Sequence, residues 1–199
     1  MKYNTRIISL LFAFLFVFCS IMVKAQLFDD SIYLKGFIIK NNNDTVVGFI
    51  EHKNGYYSNV RYKVNENDRK KIKVDEAEVK RIKVGINSFD RIAVGNKSHL
   101  MKRIVKGEVS LYRFTDLKAS SNGPNGGFST YEVERLYVVK GNTAIKLKRR
   151  KFKEDIKKLL VDDTELYADI DKLKFNDSLL EYNLKNIISR YNSRRKNCP

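Results

Sequence analysis

The chain reads as an α+β protein: an antiparallel, β-rich N-terminal region (a sheet, a sandwich or a partly open barrel) followed by two or three C-terminal helices. Three observations predict this. From Tyr33 to about Arg149, short apolar runs recur at intervals of about ten to twelve residues between Gly, Asn and Asp, the spacing of successive strands and turns. After Arg149 the apolar period changes from two to about 3.6, that of an amphipathic helix. Every strand-like segment precedes every helix-like one, which gathers the helices on one face or end of the sheet.

In order along the chain, residues 1–25 come first and form an export signal. Lys2 and Arg6 give a positive start, Ile7 to Val23 is a nearly unbroken apolar run, and Val23-Lys24-Ala25 offers a cleavage site before Gln26. A permanent anchor is the rival, but the run lies at the short end of a spanning segment. Lipidation needs a small residue before its cysteine, and Cys19 follows Phe18. After cleavage no transmembrane segment is expected, and Cys198 is the one remaining cysteine, so no internal disulfide can form. Residues 26–149 then make the β domain, 150–193 a helical region packed on it, and 194–199 a basic tail.

Within the β domain, Gly36-Phe37-Ile38-Ile39 and Val46-Val47-Gly48-Phe49-Ile50 flank Asn41-Asn42-Asn43-Asp44, a hairpin. Arg81–Gly85, Arg91–Gly95 and Arg103–Gly107 repeat one pattern, each apolar run closed by the glycine a turn favours. Tyr131–Val139 and Thr143–Lys148 form a second hairpin about Gly141-Asn142. The long loop Ser120–Gly127 is glycine-rich, but Gly126-Gly127-Phe128 leads into a strand and lacks the Lys and Ser/Thr of a phosphate-binding loop. Among the helices, Phe152, Ile156, Leu159 and Leu160 share one face. A turn at Asp162-Asp163 precedes a short helix around Glu165–Ile170. The last helix opens at Asn176-Asp177-Ser178, with Ser178 and Glu181 placed as a capping box, and carries the stripe Leu180, Leu184, Ile187, Ile188 and Tyr191.

These segments resemble a group of exported proteins of unknown function common in Bacteroidota-type bacteria. The resemblance rests on the signal, on Asn43-Asp44-Thr45-Val46-Val47-Gly48-Phe49-Ile50, on Val109-Ser110-Leu111-Tyr112-Arg113, and on a block from Phe152-Lys153 through Asp162 to Tyr191-Asn192. The family's first motif reads Gly-Asp-Thr-Ile-x-Gly-x-Ile, from which Asn43 and Val46 depart. Its closing block often carries Asp-Cys-Pro where Asp162-Asp163-Thr164 stands here. Were that cysteine to pair with one near the C-terminus, its absence would leave Cys198 single. The resemblance implies export and fold, and supplies no catalytic residue.

Catalytic materials are thin. Nucleophilic catalysis needs a Ser or Cys beside a base, and the chain has two isolated histidines, His52 and His99, and no Gly-x-Ser-x-Gly elbow. Neither histidine has metal-ligand spacing, so both are expected at the surface and no metal or cofactor is expected. Glu132 and Glu134 share a strand face about 7 Å apart, which suits a solvated edge as well as acid–base work. Charge is the stronger signal. The 39 Lys and Arg exceed the 23 Asp and Glu. From Lys146 to Lys158 eight cations oppose only Glu154 and Asp155, several of them where a helix begins. That end already carries partial positive charge and attracts anions. Lys148, Arg149, Arg150, Lys151 and Lys153 are therefore the candidate anion-binding residues. Arg69-Lys70-Lys71 with Lys73 and the tail Arg194-Arg195-Lys196 are further basic groups.

The expectation is a non-catalytic envelope protein, periplasmic or peripherally associated with the outer membrane. Its partners would be anionic lipid, lipopolysaccharide or acidic glycan, or an envelope protein. Export takes it away from the usual nucleic-acid pool, so Tyr56-Tyr57 and Tyr62 read as ordinary sheet tyrosines. The alternatives are an interaction subunit of an outer-membrane or secretion complex, and a hydrolase with a nonstandard site.

Overall fold

Turn residues divide the chain into ten strands: β1 (Tyr33–Lys40), β2 (Thr45–Glu51), β3 (Asn59–Lys63), β4 (Ile72–Asp75), β5 (Val79–Val84), β6 (Asn87–Val94), β7 (Lys97–Val105), β8 (Val109–Ser121), β9 (Phe128–Lys140) and β10 (Thr143–Lys146). Three helices follow, α1 (Phe152–Leu159), α2 (Tyr167–Lys172) and α3 (Leu180–Lys196). This computed structural model describes residues 31–53, 59–121, 128–175 and 178–196. The export segment with Cys19, Tyr56-Tyr57, most of the Ser120–Gly127 loop, Asn176-Asp177 and Cys198 lie outside the described residues. Among the described residues no helix is long and apolar enough to cross a membrane.

The strands form one antiparallel sheet in the order β10-β9-β8-β7-β6-β5-β1-β2-β3-β4. The α+β class holds, and of the three β architectures open to the sequence a single curled sheet is the one adopted. Edge strand β10 comes back against β6. At the other end Val60 and Val74 share a core with Ile38, Ile50, Val79, Ile82, Val84, Phe89 and Leu100. The chain leaves this end through a 3-10 turn, Glu76–Glu78, and returns to pair β5 with β1. Arg91 fastens that turn: its Nε donates to the Val79 carbonyl (2.6 Å) and its Nη2 to the Glu76 carboxylate (2.8 Å).

The β1–β2 hairpin explains the first motif physically. Asn43 has φ +68°, the left-handed region in which glycine is most at ease. Asparagine is one of the residues that enters this region most readily. Gly36 lies directly opposite Gly48 in the register. A side chain on Gly48 would collide with the Lys63 carbonyl, so this position admits only glycine if β2 and β3 are to stay this close.

Period-two alternation gives β8 two covered faces. Val109 and Leu111 join Val138, Leu147 and the helices in the largest core, while Tyr112 turns the other way to Met101 and Tyr137. The helical stripes read from the sequence all pack inward: Phe152, Ile156, Leu159 and Leu160 from α1 and its end, and Leu180, Leu184, Ile187, Ile188 and Tyr191 from α3. Glu181, at the start of α3, pairs with Arg113 of β8 (3.5 Å). Asn192 fixes α3 to the sheet. Its side-chain amide donates to the Val109 carbonyl (2.7 Å) and accepts from the Val109 N–H (3.0 Å). Gly107 leaves the room for it, because a Cβ there would overlap the Asn192 amide. α3 also continues through Arg194 and Arg195 to Lys196, where the sequence suggests a tail.

Candidate functional site

The junction between β10 and α1 holds the candidate cations. Leu147 extends the β10 ladder by donating its N–H to the Leu136 carbonyl (2.9 Å) and is buried. Phe152, at the first position of α1, is buried in the same core. Between these two anchors runs a single turn, closed by the Lys151 and Phe152 N–H groups donating to the Lys148 carbonyl (2.9 Å each). With both ends pinned inward, Lys148, Arg149, Arg150 and Lys151 all point outward and are exposed. Among the described residues none of the four side chains meets a carboxylate.

Lys151 is the N-cap of α1, and no side chain caps the helix. The helix start is thus both uncapped and surrounded by cations. Glu154 and Asp155 in its first turn offset part of the dipole.

Lys153 is placed differently from the other four. Its Nζ donates to the Asp171 carbonyl at the end of α2 (2.5 Å), and Lys157 holds the Asp171 carboxylate (2.7 Å). Both tie α1 to α2, adding positive charge where α2 ends, its favourable pole. Arg149, Arg150, Lys153, Lys157 and Asp171 line an open depression of about 310 Å³.

The structure adds members that the linear pattern missed. Lys146 and Lys148 alternate onto one face of the sheet, where Lys118 of β8 and Arg135 of β9 join them. Burial first, and then repulsion from Arg135, Lys148 and Lys118, hold the Lys146 ammonium below the usual lysine range. Asp116 balances part of this group through Arg135 (3.1 Å). The i, i+2 spacing of Lys146 and Lys148 was a usable signal. Lys118 and Arg135 required the β8–β9 register.

The other basic groups divide. Arg69, Lys70 and Lys73 are exposed on and before β4. The C-terminal cations are neutralised, Arg194 by Asp163 (2.7 Å) and Glu165 (2.9 Å), and Arg195 by Asp162. The Asp162-Asp163 turn thus receives the end of α3. Asp162 also accepts from the buried Tyr191 hydroxyl (2.9 Å), which in turn accepts from Lys140 (2.7 Å).

Residues weighed for chemistry have structural surroundings. Glu132 and Glu134 belong to one face, and Glu134 pairs with Arg113 (3.3 Å). His99, expected at the surface, is half-buried against the Phe114 ring (4.6 Å between centroids). His52 is also half-buried, with its Nδ1 enclosed and without a hydrogen-bond partner among the described residues. No group of three or more His, Cys, Asp or Glu among the described residues is arranged to hold a metal ion.

Comparison with family models, with curated proteins and with solved structures gives no match to this chain. The fold and site define a class on their own terms: a curled antiparallel sheet with helices on one face and an exposed basic junction where the two meet.

Proposed function

We propose that the protein is a non-catalytic binding module of the cell envelope, contacting phosphate- or carboxylate-bearing components through the β10–α1 junction. The observation that carries this is the unneutralised run Lys148–Lys151. The same chain places carboxylates against the cations at the end of α3. Here it leaves four consecutive cations exposed beside an uncapped helix start, where a bound anion would offset their mutual repulsion. The export signal read from the sequence supplies the setting, and the open depression beside the junction suits a headgroup layer or a polymer.

The test is co-sedimentation with phosphatidylcholine vesicles with and without phosphatidylglycerol. Binding should require the anionic lipid and weaken as salt shortens the screening length. Each cation near such a surface is worth about 1 kcal/mol, so Arg149→Glu with Arg150→Glu and Lys151→Glu should weaken binding by at least about 100-fold. The same reversals at Arg69, Lys70 and Lys73 serve as the control. Absence of binding at low salt, or binding indifferent to the junction variant, would contradict the proposal.

A further inference from the structure

One sheet edge in the middle of the fold has no neighbouring strand among the described residues. β8 pairs in register with β7 only at Leu111, Tyr112 and Arg113. Beyond that point β7 continues alongside β6, down to Lys97 opposite Val94. β8 stays instead with β9 in unbroken register, from Val109 opposite Lys140 to Ser121 opposite Phe128. The two strands leave the sheet as a ribbon, and from Thr115 onward no described strand lies along the outer edge of β8. Proteins usually blunt such an edge with charged side chains, a proline or a bulge, and here the charges are Asp116 and Lys118. This stretch has no proline, and its register with β9 has no bulge. Leu117 is 45% exposed, and Tyr131, opposite Lys118, is 50% exposed.

The sequence of this edge complements itself. When Thr115-Asp116-Leu117-Lys118-Ala119 is laid antiparallel against a second copy about Leu117, Asp116 faces the partner's Lys118 and Lys118 faces the partner's Asp116. Leu117 meets the partner's Leu117, while Thr115 is buried within its own chain and offers only its backbone opposite the partner's Ala119. Period two keeps each pair on one face, Asp116 and Lys118 on one side and Leu117 on the other. A two-fold axis perpendicular to the sheet preserves those faces and closes the assembly at two. Opposite charges directly across an antiparallel pair stabilise it, and like charges there destabilise it. Shifting the register by one residue would set Leu117 against a charged side chain and lose both ion pairs.

We propose that the β8 edge pairs with the same edge of a second copy, joining two chains in one continuous antiparallel sheet. The Asp116 carboxylate is then shared between Arg135 of its own chain and the partner's Lys118. None of Lys148–Lys151 takes part in this assembly, although Lys118 and Arg135 also border the basic face beside Lys148.

Sedimentation velocity of the purified protein over a concentration series tests this. The wild-type chain should show a concentration-dependent dimer. Asp116→Lys alone and Lys118→Asp alone each set like charges opposite one another twice, and each should weaken the dimer on the order of tenfold. The double variant Asp116→Lys with Lys118→Asp restores both opposite-charge pairs and should regain the dimer. Leu117→Cys with Cys19→Ser and Cys198→Ser gives a second readout: mild oxidation should link two chains, and adding Asp116→Lys should suppress the link. A wild-type monomer at every concentration would leave the edge to some other strand or to none, and would overturn the proposal. So would a dimer that the single charge variants do not weaken, or a double variant that stays monomeric.

Discussion

Asp90 organises the middle of the sheet through a single carboxylate. It is 6% exposed, accepts from Arg81 Nε (2.5 Å) and Arg103 Nη1 (2.8 Å), and takes a third bond from the Tyr112 hydroxyl (3.2 Å). Asp90→Ala leaves the part-buried Arg103 guanidinium without its counter-ion, and urea unfolding should show a loss of about 3 kcal/mol. Burial, then the Asp90 charge and the bond to it, push the Tyr112 hydroxyl up to about 12. A raised acid binds its proton more tightly in the folded chain. Its contribution is therefore complete below pH 10 and is lost as pH rises from there through about 12. Stability should fall over that window by roughly 2–3 kcal/mol from this group, and Tyr112→Phe should flatten the fall in urea midpoints measured from pH 9 upward. Asn192→Leu orphans both polar groups of buried Val109 and should cost about 2–4 kcal/mol in the same measurement. The sequence displayed Asn192 within a motif, but its role depends on a strand eighty-three residues earlier.

The helix α1 concentrates the contest between stability and contact. Its apolar face was legible from the i, i+4, i+7 and i+8 spacing alone, because packing on a core follows the helical period. So were the β1–β2 and β9–β10 hairpins, whose turns are local chemistry. Less legible was where Lys153 points, since its acceptor lies on α2, and which cations join Lys148, since Lys118 and Arg135 come from other strands. A lysine at the N-cap of α1 forgoes the bond a serine would supply. Lys151→Ser should therefore raise stability by about 0.5–1 kcal/mol in thermal or urea unfolding while weakening binding to anionic vesicles. If the substitution lowered stability, the cap geometry would be misread. If binding were unchanged, Lys151 would lie outside the contact.

At the scale of the whole molecule, the strand-then-helix order fixed the α+β class, yet not the curl that brings β10 back to β6 or the ribbon that departs from β7. Both depend on register shifts between distant strands, such as the irregularity between Arg103 and Val105 opposite Leu111 and Tyr112. Nor does a net charge of +16 reveal how cations are spent. Folding neutralises those at the end of α3, commits Lys153 and Lys157 to Asp171, and leaves Lys148–Lys151 facing outward. Backbone amide NMR of the full chain, titrated with phosphatidylglycerol bicelles, examines this distribution residue by residue. The expected result is that resonances of Lys148–Phe152 move first and furthest, with smaller changes at Lys118, Arg135 and Lys146. Shifts confined to Arg69–Lys73 or to the end of α3, with the β10–α1 turn unmoved, would contradict it.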